Sequence, residues 1–236
     1  MPAWNESEGL IEFVTELRES FSNIQVNFCI VNDNSLDATE DKIIELKKLG
    51  YEINSHTNIF NLGHGPSTMI ALKLGLRSHA EYILAIDGDG QFIGYEVALL
   101  YSAIKSGKFD LVEGVRMNRN DPLSRKFISL VTRYLIFFRT GCRTLDANTP
   151  LRLYKKDSLA LLLESMPPTS LIPNLHLSTL SRKMKLRIGF VNVSSIPRRG
   201  TNPIGTTWGK SSFLKPNTKL FKFCYAAAKE WFSFKV

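Results

Sequence analysis

The sequence predicts an α/β domain with a mostly parallel central sheet flanked by helices. Three observations point there. Between Ile24 and Gly114, short apolar runs alternate with segments of helical period, the pattern of βα units. One of those runs, Tyr82–Ile86, ends in Asp87-Gly88-Asp89-Gly90-Gln91, where carboxylates stand at the end of a buried strand. The 236 residues, 44% of them hydrophobic, suffice for one substantial core and little more.

Taken in order, Ile24–Val31 reads as a strand and Ala38–Leu49 as a helix with Ile43, Ile44, Leu46 and Leu49 on its apolar face. Tyr51–Asn54 is a short strand, Pro66–Arg77 a helix, Tyr82–Ile86 a strand, Gly94–Ser106 a helix and Phe109–Gly114 a strand. After residue 120 the rhythm changes. Arg125–Phe138 reads as an amphipathic helix, Gly141–Pro150 as irregular, Leu151–Tyr154 as a strand and Met166–Pro173 as a Pro-rich loop. Arg187–Val193 is a late strand, and Gly and Pro punctuate residues 197–210 as a loop. Residues 1–210 are expected to form the domain and 211–236 a basic, aromatic amphipathic tail.

Charge is unevenly spread. Residues 182–236 hold twelve Lys/Arg against one acid, Glu230, so the whole net charge of +8 comes from the last quarter. That asymmetry suits an anionic partner: nucleic acid, acidic lipid or a phosphorylated substrate. The bases follow no nucleic-acid reader motif, which argues against the first. Cys29, Cys142 and Cys224 have no metal-ligand spacing, and no apolar stretch reaches the roughly 20 residues of a membrane span, so a cytoplasmic location is expected.

Asp87 and Asp89 are alternate residues of an extended chain and can reach one hard cation, with the glycines leaving room for a polyanion. An Asp-Gly turn is the competing reading of the same residues. Asp33 ends the first visible strand, where a carboxylate can accept from a nucleoside, and Ser35 or Asp37 is a candidate cap of the helix that follows. Gly63-His64-Gly65 precedes a helix, where backbone N–H groups can face an anion.

Pro2-Ala3-Trp4-Asn5-Glu6, the Asp33 segment, Asn61-Leu62-Gly63 and Asp87–Gln91 resemble, in order and spacing, the family 2 glycosyltransferases. Looser matches run to about residue 210. The resemblance implies the GT-A fold, a UDP- or GDP-linked sugar donor and a Mg or Mn ion. By position, Pro2, Ala3, Glu6, Asp33, Gly63 and Asp87 would hold the donor, and Asp87, Asp89 and Gln91 the metal. Gln91 matches the glutamine of the polyprenyl-phosphate sugar synthases, the dolichol-phosphate mannose synthase group among them. The family carries an apolar strand ahead of its Pro-x-x-Asn-Glu motif; this chain opens at the motif, so that first strand is expected to be missing.

An acceptor hydroxyl needs a general base, whereas an acceptor phosphate is already anionic. The family's acidic pair has no counterpart in Ser170–Leu177, where Asn174 stands near the expected position and His176 is a weak substitute. The synthases' acceptor pattern is matched by Arg116, Arg119, Arg125 and Ser129, the last two sharing a helix face. Asp146 is the fallback base, in an Asp-x-x-x-x-x-Arg element that ends at Arg152. Arg198 and Lys210 flank the late loop and would close it over the donor diphosphate. Asp89, Asp146, Arg116 and Arg125 are thus the expected catalytic set. The resemblance favours transfer to a lipid phosphate, with a sugar hydroxyl of a polysaccharide or glycolipid as the second reading and a non-catalytic binding module as the third. The tail from Phe213 mixes aromatics with five lysines and would lie peripherally on the inner face of a membrane.

Overall fold

The computed structural model describes residues 1–21, 23–117, 123–200 and 218–234, without the side chains of residues 123–125 and 218–220. Arg119 and Lys210, and the side chain of Arg125, lie outside the described residues.

The first half alternates as expected. Strand β1 (Pro2–Ala3) is followed by α1 (Leu10–Ser20), β2 (Phe28–Asn32), α2 (Thr39–Lys48), β3 (Ile53–Thr57), α3 (His64–Arg77), β4 (Tyr82–Ala85), α4 (Gly94–Lys105) and β5 (Leu111–Met117). Helix α1 has its own apolar face, Leu10, Phe13, Val14 and Leu17, all buried. It packs on α4, and Glu16 accepts the Gly94 N–H at the start of that helix.

Strands β1, β2 and β3 pair in parallel; Pro2 lies opposite Val31, and Ala3 opposite Asn32. The second sheet runs β4-β6-β5-β7, with β6 (Arg152–Lys155) antiparallel to both neighbours and β7 (Ile188–Ser194) parallel to β5. Parallel pairing therefore dominates, and β6 is the exception. Because β1 covers only the end of β2, an apolar cleft of about 310 Å³ separates the rest of β2 from β4, lined by Phe28, Cys29, Ile83, Ala85 and Tyr101 among others.

The main core lies between the sheets and helices α1, α2 and α4. Beyond β5 come α5 (Leu123–Thr140), α6 (Lys156–Glu164), α7 (Pro173–Lys183) and α8 (Thr218–Ser233). Glu113 on β5 is buried between the guanidinium groups of Arg182, at 2.9 Å, and Arg152, at 3.6 Å, tying β5, β6 and α7 together. Arg152 also donates to the backbone oxygens of Asn174 and Ala147.

Candidate active site

The buried run of β4 delivers Asp87 and Asp89 to the carboxyl end of the sheet, where α/β folds bind ligands. Gly88 between them is required for packing. Its N–H donates to the Pro2 carbonyl at 3.0 Å. A Cβ there would sit 2.8 Å from that oxygen and 3.2 Å from the Ala3 Cβ, so β1 approaches the Asp pair only past a glycine.

The two carboxylates stand close enough to act on each other. Burial and the neighbouring Asp87 carboxylate push Asp89 up to about 7. Asp87 is held below its usual range: burial works to raise it, but His64, Arg116 and the amino terminus together outweigh that. His64 Nε2 stands 2.9 Å from Asp87 Oδ1, and the Asp87 charge lifts the imidazole to about 8, so a protonated ring neutralises one carboxylate. The carboxylate oxygens of Asp87 and Asp89 are hard donors of the kind that suit a divalent ion, and His64 occupies Asp87 Oδ1 in its place here. Among the described residues no group of three or more His, Cys, Asp or Glu could hold a metal by itself. Gln91 donates its side-chain amide to the Ile196 carbonyl at 3.3 Å and its N–H to Asp89 Oδ1, so it joins the pair to the 195–200 segment.

The segment after β1 is held from three sides. Ser35 Oγ accepts the Asn5 N–H, Thr39 Oγ1 accepts the Glu6 N–H, and Asp37 accepts from Ser7 and from Thr39. Ser35 thus binds the neighbouring loop, whereas Asp37 binds that loop and also takes the N–H of Thr39, the first residue of α2, with Ala38 at the N-cap position. Arg198 ion-pairs with Glu6 and donates to the Trp4 and Asn5 carbonyls. Burial raises Glu6 to about 8 despite that partner. Arg199 lies over the Phe13 ring, pairs with Glu12 and Glu16, and donates to the Gly90 carbonyl. These arginines fasten the late segment to α1 and to the Asp loop, and nothing in the local sequence pairs residue 198 with residue 6.

Asp33 is buried and fully occupied. Its Oδ1 accepts from Asn58 Nδ2 and the Leu62 N–H, and its Oδ2 accepts the Gly63 N–H, each at 2.8 Å. Its carboxylate sets the loop ahead of α3. Gly63 adopts φ 88°, open to glycine, and its N–H goes to Asp33. Gly65 packs so closely on residues 170 and 171 that a Cβ would lie 2.4 Å from the Ser170 carbonyl. The helix begins at His64, two residues earlier than its periodicity indicated, and the imidazole reaches Asp87 from that first position.

Across the Asp pair, Arg116 on β5 grips Asp146 with a two-point fork, Nε to Oδ2 at 2.7 Å and Nη2 to Oδ1 at 3.0 Å. Its charge reaches Asp87 and helps keep that carboxylate ionised. Ser129 lies half-buried on α5. His176 is buried, stacked on Phe234 at 4.2 Å and on Trp231 at 6.0 Å. Burial drives its pKa down to about 4, and Ser170 Oγ faces its Nδ1 at 3.2 Å. It is a packing residue of the α7–α8 contact.

The family model for glycosyl transferase family 2 matches residues 1–162. The chain is 26% identical over 225 residues to the UDP-N-acetylglucosamine–dolichyl-phosphate N-acetylglucosaminyltransferase of Methanococcus voltae, covering 86% of this chain and 88% of that protein. It is 29% identical over 178 residues to the undecaprenyl-phosphate 4-deoxy-4-formamido-L-arabinose transferase of Salmonella choleraesuis, covering 73% of this chain and 53% of that one. The fold is similar to that of Staphylococcus aureus TarS residues 1–349 in complex with UDP-GlcNAc, at TM-score 0.61, 17% identity, and 100% and 66% coverage of the two chains. It is also similar to that of the Pyrobaculum calidifontis mannosyltransferase PcManGT in complex with GDP-Man and Mn²⁺, at TM-score 0.59, 16% identity, and 84% and 56% coverage. The chain spans about half the length of the Salmonella and Pyrobaculum proteins.

Proposed function

The chain belongs to glycosyl transferase family 2, and we propose that it moves a sugar from a nucleoside diphosphate donor to a polyprenyl-phosphate-type lipid, by direct inverting displacement assisted by a divalent cation. The observation that carries this reading is the pairing of the Asp87–Asp89 carboxylates with an arginine fork that occupies the expected base, Asp146, among the described residues. Asp146, the fallback base expected from the sequence, is buried and engaged by Arg116, and the buried His176 stacks on Phe234 and Trp231. Neither of these described residues is placed to take a hydroxyl's proton, whereas an acceptor phosphate has none to lose.

Each residue then has a task. Asp87 and Asp89, with Gln91 beside them, would hold the cation, which neutralises charge on the departing nucleoside diphosphate when bound. Pro2, Ala3 and Glu6 line the nucleoside side, with Asp33 and Gly63 fixing the loop between that side and His64. Arg198 holds Glu6 and its loop, and the diphosphate would draw Arg198 and Lys210 over it. Arg116, oriented by Asp146, would meet the incoming phosphate, and Arg119, Arg125 and Ser129 are assigned to it by their positions in the sequence. An acceptor phosphate oxygen forms the new bond to the anomeric carbon as the bond to the diphosphate breaks on the opposite face, so the configuration inverts and no proton is transferred.

The Methanococcus and Salmonella relatives, whose names state lipid-phosphate acceptors, support the acceptor class. The GDP-Man and Mn²⁺ of the Pyrobaculum complex support the donor and cation. Contact with the inner face of a membrane through α8 fits its exposed Phe221, Tyr225 and Phe232 beside Lys222 and Lys229. No helix among the described residues is long and apolar enough to cross a membrane. Transfer of labelled sugar to a short polyprenyl phosphate with Mn²⁺, lost in Asp89→Asn, tests the reading. Transfer to a glycan hydroxyl in its place would refute the acceptor class.

A further inference from the structure

The loop that joins β4 to α4 carries the carboxylate pair and is held by residues distant from it in sequence. The Ile196 N–H donates to the Gln91 carbonyl at 3.1 Å, and the Arg199 N–H donates to the Asp89 carbonyl at 3.2 Å. The Arg199 side chain then continues across the loop. Its Nε donates to the Gly90 carbonyl at 3.2 Å, its Nη1 to Glu12 at 2.6 Å and its Nη2 to Glu16. Glu16 in turn accepts the Gly94 N–H at 2.5 Å, at the far end of the same loop. Arg199 and Glu16 together form one clamp, closing on residues 89, 90 and 94 with α1 as its fixed side.

Two glycines leave room for the arginine. A Cβ on Gly9 would come 2.6 Å from the Arg199 Cβ, and one on Gly90, whose φ is 66°, would come 2.6 Å from its Cδ. The arms of the clamp are unequal. Glu12 is 72% exposed, so solvent weakens its ion pair, whereas Glu16 at 29% and the Gly90 carbonyl meet an arginine that is only 12% exposed. Asp89 is where the clamp matters. Its carbonyl accepts from Arg199 and its Oδ1 accepts the Gln91 N–H at 3.3 Å, so a shift of this backbone redirects the carboxylate. A binding constellation held more loosely than about 0.5 Å loses its function.

We propose that Arg199 is a positioning residue for the Asp87–Asp89 pair: through Glu16 and the Gly90 carbonyl it clamps the loop backbone against α1, and so sets the affinity of the pair for a divalent cation. The cation rests on the functional reading above; the clamp does not.

Amide hydrogen exchange without metal or nucleotide tests the clamp. Mn²⁺ titration followed by electron paramagnetic resonance, with UDP and with GDP, tests its consequence. The variants are Arg199→Gln, Glu16→Gln, the two together and Arg199→Lys. Arg187→Gln, which breaks an ion pair with Asp110 beside β5, is the control. R199Q should speed exchange of the amides of residues 88–91 by roughly tenfold or more and weaken Mn²⁺ binding by a similar factor, because a hydrogen bond to a charged group contributes that much. The double variant should be little worse than R199Q alone, since both residues act through one clamp. R199K keeps the charge but not the planar fork and should stay impaired in both readouts. R187Q should match the wild type. Unchanged exchange at residues 88–91 in R199Q overturns the proposal. So does an even rise over the whole chain, which would make Arg199 a stabiliser of the fold only, and so does faster local exchange with Mn²⁺ affinity intact. If the wild type binds no Mn²⁺ with either nucleotide, the functional reading fails along with the cation half of the proposal, and the exchange data still accept or reject the clamp.

Discussion

Replacing Asp33 by asparagine keeps the shape of the side chain and removes its charge. In the structure this carboxylate accepts three hydrogen bonds at 2.8 Å, from Asn58 Nδ2 and from the N–H groups of Leu62 and Gly63. An asparagine can keep at most the two at Oδ1. Its amide N–H then faces the Gly63 N–H, leaving that half-buried donor without its partner. Losing one charge-assisted bond costs about 2 kcal/mol, and weakening the other two to neutral bonds costs about 1 kcal/mol more. The desolvation of a carboxylate that is only 3% exposed is relieved in exchange, so a net loss of about 2 kcal/mol is expected. In a chain of this size that lowers the melting temperature by roughly 4–8 °C. Urea unfolding, thermal unfolding and calorimetric titration with nucleoside diphosphate and Mn²⁺ on the same samples are the assay. Stability should fall, and nucleotide affinity should fall with it as the 58–63 loop loosens. If D33N is as stable as wild type yet fails to bind nucleotide, Asp33 contacts the ligand directly and the scaffold assignment is wrong.

Four other outcomes follow from the same geometry. Gly88→Ala drives a Cβ against the Pro2 carbonyl and should cost about 1–3 kcal/mol by chemical denaturation while weakening Mn²⁺-dependent nucleotide binding; unchanged values would mean β1 does not abut the Asp pair. Arg116→Lys loses the two-point grip on Asp146 and should reduce turnover by at least about tenfold with the fold intact by circular dichroism, since a lysine cannot reproduce the fork. Glu113→Gln leaves Arg152 and Arg182 buried without their shared counter-charge and should cost about 3–5 kcal/mol in urea unfolding. The fourth concerns pH. His176 has a folded pKa near 4 against an ordinary 6.5, so it has no effect on stability above about pH 6.5, where both states are neutral. Below that the unfolded imidazole takes up a proton that the folded one refuses, and stability should fall between about pH 6.5 and pH 4, by no more than about 3 kcal/mol. His176→Phe should flatten that part of the urea-midpoint profile.

How far the sequence discloses this molecule depends on the range of the interaction. The alternation of β2, α2, α3, β4, α4 and β5 is written in local periodicity, and each lies within a few residues of its expected bounds. The Asp87–Asp89 pair is read as a site only through its order among the other motifs, because an Asp-Gly turn after a strand has the same local sequence. The antiparallel direction of β6 is not, since it enters after an irregular segment whose path is set by Arg152 reaching Asn174 and Ala147. The partnership of His64 with Asp87, 23 residues apart, depends on where α3 starts, and propensity locates such boundaries poorly. Glu6 and Arg198, 192 residues apart, meet only because the fold closes between them. The amphipathic character of α5 is plain from its spacing; that its apolar side faces outward is a tertiary property no periodicity contains.

The most direct test of the account is transfer of labelled sugar from UDP- or GDP-linked donors to a short-chain polyprenyl phosphate, with and without Mn²⁺, in the wild type and in Asp89→Asn. Label should appear in the lipid-phosphate product with inverted anomeric configuration, only with the cation and only in the wild type. Label found instead on a sugar hydroxyl, or lipid product formed equally by Asp89→Asn, would contradict it.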